Sequence, residues 1–560
     1  MRGNYLFSDL YFEPTLNIMI YLISLCFAHL LGISVDCIQN IRNPIISGFH
    51  PDPCIVRVQD DYYIVNSTFE WFPGIPIFHS KNLVDWQQIG NVLTRKSQLD
   101  LTGIPDSEGV YAPSITWYRG LFYVTYTVVH PGLQWSSKGY PNYIVTAENP
   151  AGPWSDPVYI NSLGFDPSLF IDDDGRGYVV VRIFDYRKGR EMSPGIGIHE
   201  IDMETLKPKG APRFIYSGWG KRSAEGPKIL KKDGYYYLFT AEGGTGYGHY
   251  EAVARAKNIY GPYERAPHIF YTSRNTPSHP IQKAGHGTVF STPTGEWYTT
   301  HLGSRPLGQR GNCPLGRETF LQKVEWKDGW PRLADNVSLP AEKVSVVGQQ
   351  SQASVNAVHN VKDDFNCSEL HCKYITLREE FSSDWIRLKD GLLRLKGREA
   401  LGGLYRQSIL AQRITSYKQN FETRLSFSPE DFRQSAGLCC YYNSRHFYAL
   451  GLTYDESRGT VLELVGADKV YQEYLPERIP VQATDVGMRV EINMDKLQFY
   501  YSLSEGVWKT IGPSLDFSKL SDDYVAGFTG AVVGLFAQDM MYESEWATFD
   551  YFKVDGVDGH

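Results

Sequence analysis

Five short motifs recur along the first half of this chain at an almost constant pitch. They are His50-Pro51-Asp52-Pro53, Val110-Tyr111-Ala112-Pro113-Ser114, Phe165-Asp166-Pro167-Ser168, Ala224-Glu225-Gly226-Pro227 and Gly285-His286-Gly287-Thr288. Within them Asp52, Tyr111, Asp166, Glu225 and His286 fall 59, 55, 59 and 61 residues apart. Each motif opens a strand-like run. A turn signal such as Tyr118-Arg119-Gly120 or Lys232-Asp233-Gly234 follows, and then a second run rich in Tyr, Val and Ile at 61–65, 121–125, 177–181, 234–238 and 296–300. Hairpins repeated at that period predict propeller blades, which aim their first strands at one shared axis. Carboxylates far apart in sequence would then converge.

At 560 residues the chain is longer than one ordinary core of about 100 to 200 residues, so at least two bodies are expected. A five-bladed β-propeller is predicted over 43–340. From 344 to 354 the sequence is largely polar and lacks aromatics, which predicts a linker over 341–358. Beyond it, stretches such as 421–427, 446–452 and 487–492 alternate apolar with polar residues as half-buried antiparallel strands do. The fold class is therefore all-β, with a second body at 359–560 read as a β-sandwich.

With 55 Lys and Arg against 63 Asp and Glu, the formal charge of -8 gives no electrostatic footprint for nucleic acid. Aromatics form 14% of the chain, which suits strands and supplies flat faces for sugar rings. The apolar run at 17–35 is broken by Ser24, His29 and Ser34, so residues 1–36 read as a secretory signal, with an uncleaved anchor as the alternative. An extracellular location is expected, and membrane attachment only if that segment is retained. Sequons at Asn66, Asn336 and Asn366 are compatible with export. The eight cysteines contain no Cys-x-x-Cys pair, which argues against a thiolate metal site. Cys367 and Cys372 could close a small loop, whereas adjacent Cys439 and Cys440 would project to opposite faces of a strand.

Splitting a glycosidic bond takes one carboxylic acid to protonate the departing oxygen and one carboxylate to activate water or attack carbon. A third carboxylate nearby can lift the acid's pKa toward working pH. Three carboxylates on separate inner strands meet that specification. Two other motifs do not carry chemistry. Asp172-Asp173-Asp174-Gly175 lacks the later acidic position and flanking helices of a calcium loop, and 243–248 has the wrong glycine spacing for a dinucleotide fold.

The motifs around Asp52, Asp166, Glu225 and His286, together with Ser67-Thr68-Phe69-Glu70-Trp71-Phe72-Pro73-Gly74, Ala241-Glu242-Gly243-Gly244-Thr245 and Pro314-Leu315-Gly316-Arg317-Glu318-Thr319, resemble the family 43 glycoside hydrolases. The likeness is to that family's two-domain β-xylosidases, and Phe528-Thr529-Gly530-Ala531 resembles part of their C-terminal concanavalin-like jelly roll. The resemblance implies an inverting exo-enzyme that releases β-D-xylose from xylo-oligosaccharides, with α-L-arabinofuranosidase activity as the alternative. By the same resemblance Asp52 is the general base, Glu225 the general acid and Asp166 the modulator of the acid's pKa. Arg317 would bind sugar hydroxyls, and Phe69, Trp71 and Tyr111 would wall the pocket, with Tyr111 standing where relatives more often place Trp. Phe528 would close the mouth. His286 would lie on the axis, where the family holds a water or a calcium ion. No cofactor is required on this reading, calcium stays open, and so does self-association. A retaining fructan or sucrose hydrolase is disfavoured, because the residues beside Asp52, Asp166 and Glu225 differ from that group's motifs. A catalytically dead sugar-binding protein is disfavoured because all three carboxylates and Arg317 are present.

Overall fold

In the computed structural model, residues 36–132, 139–220, 224–349, 361–483 and 485–556 are described. The segment read as a signal or anchor, up to residue 35, lies outside them, as does 350–360 of the expected linker.

The repeat folds as its pitch requires. Five antiparallel sheets follow one another in sequence, with first strands Cys54–Val58, Gly109–Tyr118, Ser168–Ile171, Glu225–Lys232 and Gln282–Ser291 for blades I to V. Each blade is completed by strands that follow its first strand in the chain, blade I passing over Trp71–Phe72, so no strand is lent across the ring. Tyr, Val and Ile side chains of each sheet pack on the next. Val124 joins the cluster between blades I and II, Val179 that between II and III, Leu238 that between III and IV, and Phe239 that between IV and V. Between V and I, Ile64 meets Tyr298 and Leu321.

That last seam is reinforced by a ribbon missing from the sequence reading. Asp36–Arg42 pairs antiparallel with Lys343–Gln349, and Val344 and Val346 are buried in the seam. The stretch expected to begin the linker is therefore a strand. Its partner is some 300 residues away, and the alternation Lys343-Val344-Ser345-Val346 is the period-2 signal that would have shown it.

The second body is a sandwich of two antiparallel sheets built from residues between Val361 and Gly556. Cys440 packs in its core with Leu438 and Leu450, while Cys439 faces the propeller alongside Tyr441 and Phe447, so the two thiols do occupy opposite faces. Cys367 and Cys372 are both free; the Cys372 thiol points at the Gln88 carbonyl, 3.5 Å away in the propeller.

The two bodies share a core. Phe49, Phe69, Trp71, Tyr111 and Phe165 of the propeller form one apolar cluster with Ile409, Tyr441, Phe447, Val532 and Phe536 of the sandwich. A two-strand sheet crosses the boundary, Trp71–Phe72 pairing with Thr376–Leu377. Arg378 of the sandwich is buried in the propeller, donating to the Ile104 carbonyl at 2.6 Å and to Asp106 at 2.7 Å.

Candidate active site

One conformational device recurs at the axis. Asp52, Ala112, Asp166, Gly226 and His286, one per blade, all have positive φ, at 53°, 33°, 61°, 57° and 52°. Left-handed backbone is unfavourable for residues other than glycine, by about 1–2 kcal/mol each. It is retained because it breaks the inner strands where they meet. Register slips in the first strands of blades II, IV and V fall at the same place. The break turns Asp52, Asp166 and His286 inward. In blade IV the kink falls on Gly226, one residue after Glu225. A side chain there would also collide, since a Cβ would lie 2.8 Å from the His286 ring.

The kinks bring the expected polar residues together. Asp52 is buried and accepts a hydrogen bond from the Ser67 hydroxyl at 2.6 Å; Ser67 is itself fixed by the Ala112 amide at 2.7 Å. Arg317 Nη1 lies 3.4 Å from Asp52 Oδ1 and His286 Nδ1 lies 3.3 Å from the same oxygen. Burial by itself would raise the Asp52 carboxyl, but Arg317, His286 and the Ser67 hydroxyl outweigh it and hold the group well below the usual carboxylate range. Asp52 is therefore charged at any working pH, as a proton acceptor must be.

Asp166 is tuned the opposite way. It accepts from the Gly226 amide at 2.9 Å, next to Glu225. Burial is the largest influence, and with the negative charges of Glu225 and Asp52 it pushes this carboxyl up to about 6, against the pull of His286. The folded protein thus keeps the Asp166 proton to about pH 6, whereas the unfolded chain loses it near pH 4. In that window the folded state binds more protons, so this group's contribution to stability falls as pH rises. Asp166→Asn, which keeps a hydrogen-bond acceptor but not the charge, should raise stability at pH 7 by on the order of 3 kcal/mol while lowering activity. Denaturant titration at pH 4 and pH 7 checks this, and equal stability changes at both pH values would contradict it.

His286 sits between the two carboxylates. Burial lowers its pKa, yet Asp52 and Asp166 more than compensate and raise it. Among the described residues no three His, Cys, Asp or Glu side chains are grouped to hold a metal. His286 directs Nδ1 to Asp52, its ring lies on Gly226, and the buried cation Lys228 opposes positive charge there. Calcium takes about six to eight oxygen ligands. This surround does not fit one.

The pocket wall is built by both bodies. Phe528, on the sandwich segment after the short helix Asp522–Val525, stacks on Phe69 at 6.0 Å and meets Tyr111 edge-on at 6.0 Å. Its carbonyl accepts from Arg317 Nη2 at 2.9 Å and its amide donates to the Ser107 hydroxyl at 3.0 Å. Tyr111 is anchored by its hydroxyl to the Ser107 carbonyl at 2.7 Å. Trp71, expected beside them, is fully buried in the same apolar cluster as Phe69 and Tyr111, with its ring against Tyr441 of the sandwich.

Sequence reasoning missed Arg182. It is the last residue but one of the second strand of blade III, Gly177–Ile183, where a charge after Val179-Val180-Val181 reads as an ordinary strand end. Its guanidinium pairs with the Glu225 carboxylate, lies over the Phe165 ring at 4.7 Å, and donates from Nε to the Ser193 hydroxyl at 2.9 Å. Only the radial packing of blade III on blade IV creates that contact.

An ionised carboxylate, a second carboxylate from another blade, a third raised in pKa between them, and an aromatic pocket around an arginine together define a carboxylate-dependent glycosidase. The relatives of the chain agree. Residues 41–331 match the family described as glycosyl hydrolases family 43, and residues 362–555 match the beta xylosidase C-terminal concanavalin A-like domain. The chain belongs to glycosyl hydrolase family 43. It is 41% identical over 538 residues to a xylan 1,3-beta-xylosidase of a Vibrio species, covering 92% of this chain and 98% of that one. It is also 41% identical over 526 residues to xylosidase/arabinosidase 43B of Humicola insolens, covering 91% and 97%. The crystal structure of a xylan beta-1,4-xylosidase from Bacillus halodurans C-125 superimposes with a TM-score of 0.89 at 42% identity, covering 92% of this chain and all of that one.

Proposed function

We propose that the protein is an inverting β-xylosidase that removes xylose one unit at a time from the non-reducing end of xylo-oligosaccharides. Asp52 takes a proton from the attacking water, Glu225 gives one to the departing oxygen, and Asp166 adjusts the acid and its orientation. The observation that carries this reading is the set of groups gathered around Asp52. Phe528, Phe69 and Tyr111 surround Arg317 on the side of Asp52, which puts flat apolar faces and a guanidinium beside the base, the chemistry that a terminal sugar ring needs. Arg317 presents a planar fork of donors to sugar hydroxyls there.

A second reading, α-L-arabinofuranosidase activity, is favoured by the name of the Humicola relative. Purified enzyme assayed on an aryl β-D-xyloside and an aryl α-L-arabinofuranoside separates the two, and the expected result is a higher kcat/KM on the xyloside. NMR of the first-formed sugar should show α-xylose from a β-linked substrate; β-xylose would exclude the inverting mechanism.

Export is part of the proposal. Of the sequons, Asn336 and Asn366 are exposed, whereas Asn66 is buried and donates to the His50 and Pro51 carbonyls and to Thr319. Asn66 is therefore closed to glycosylation. N-terminal sequencing of protein recovered from the medium should begin downstream of the apolar run; an intact leader on cell-bound protein would refute export.

A further inference from the structure

Residues 104–107, in the propeller loop that leads into the first strand of blade II, join the sandwich to the pocket wall. Besides its bonds to the Ile104 carbonyl and to Asp106, Arg378 donates from its backbone amide to the Glu70 carbonyl at 2.9 Å. The Ser444 hydroxyl, also of the sandwich, donates to the other Asp106 oxygen. Glu70 is fully buried, and its Oε2 accepts the Ser107 amide at 3.0 Å. Ser107 turns its other two polar groups to the wall: its carbonyl accepts the Tyr111 hydroxyl at 2.7 Å and its hydroxyl accepts the Phe528 amide at 3.0 Å. The residue is left-handed, at φ 62°. Such backbone is unfavourable outside glycine and is kept where the surroundings over-determine it, as three simultaneous hydrogen bonds do here.

We propose that Ser107 and Glu70 are positioning residues for the terminal sugar: Ser107 sets Tyr111 and Phe528 relative to each other, and Glu70 sets Ser107. This inference deepens the xylosidase reading and rests on it. Phe528 comes from the sandwich, so nothing in the propeller's own strands fixes its ring against Phe69 and Tyr111. Its carbonyl is held by Arg317 and its amide by Ser107, which leaves the residue no freedom to withdraw. The approach needs glycine beside it, because a Cβ at Gly527 would lie 2.9 Å from the Ser107 hydroxyl. Burial and the Asp106 charge push the Glu70 carboxyl up to about 8 against the pull of Arg378. Below that pH it is an uncharged acid, which Gln can imitate.

The test is steady-state kinetics on xylobiose near neutral pH for the parent, Ser107→Ala, Glu70→Ala, Glu70→Gln and Gly527→Ala. Ser107→Ala should raise KM about three- to tenfold, the scale of one lost neutral hydrogen bond, with kcat within about twofold. Glu70→Ala should raise KM at least as much, and Glu70→Gln, whose side-chain oxygen still accepts, should recover most of that loss. Gly527→Ala displaces Phe528 without touching Ser107 and carries the same expectation, so it stands in if Ser107→Ala does not fold. A merely destabilised protein loses active enzyme and therefore kcat alone. An unmoved KM in Ser107→Ala, whatever happens to kcat, overturns the assignment, and a Glu70→Gln no better than Glu70→Ala overturns the part given to Glu70. Either result leaves xylose release by the parent intact. Failure of the xylosidase reading looks different: the parent itself would yield no xylose from xylobiose, and the positioning assignment would fall with it.

Discussion

Glu225→Gln and Asp52→Asn should each reduce turnover of xylo-oligosaccharides by about 10²- to 10⁴-fold, with the folded state preserved. The two losses should differ in kind. A nitrophenolate departs with little need for a proton, so on a nitrophenyl xyloside much of the Glu225→Gln deficit should vanish. Activation of water is still required there, so the Asp52→Asn deficit should remain. The prediction rests on the proposed roles of the two carboxylates. Arg317, His286 and Ser67 keep Asp52 charged, while Glu225 on another blade lies against Arg182. Stopped assays on both substrate types check it. Equal deficits for the two variants on both substrates would show that the roles are wrongly divided.

Lys283→Met should lower the free energy of unfolding by about 3–5 kcal/mol and raise KM. The Lys283 side chain is 2% exposed and faces Asp523 at 2.6 Å and Asp522 at 3.4 Å, themselves 16% and 8% exposed. Removing the cation leaves two buried carboxylates of the sandwich without compensation. Asp523 also accepts from the Cys313 amide at 2.9 Å, so the same loss loosens the segment that carries Phe528 to the mouth. An exposed pair gives the contrast. Arg406→Met, opposite Glu543, should change stability by no more than about 1 kcal/mol. Denaturant midpoints measure both, and a Lys283→Met protein as stable as its parent would contradict the argument.

Much of this was legible before any coordinates. Strand and turn chemistry is local, so the hairpins at 61–65 or 234–238 could be read where they stand, and their pitch carried the ring. Asp52, Asp166 and His286 were legible because the motif repeats, although the left-handed kink that aims them was not. Contacts set by distant partners were hidden. Arg182 meets Glu225 only through the packing of two blades, and Trp71 meets Tyr441 only through the docking of the sandwich on the propeller. Lys343–Gln349 looked like a tether because its partner lies at the other end of the propeller. Cys367 and Cys372 are near in sequence, but nearness along the chain does not orient thiols toward each other.

Arg317 rises from the propeller yet directs one of its nitrogens to the Phe528 carbonyl of the sandwich. A recombinant chimera that fused this propeller to a foreign jelly roll would inherit the acid and the base intact and still lack the cap that seats its guanidinium. The two halves are therefore exchangeable only as a matched pair, and any breeding of new specificities by module swapping has to carry the 522–528 segment along with the arginine it completes.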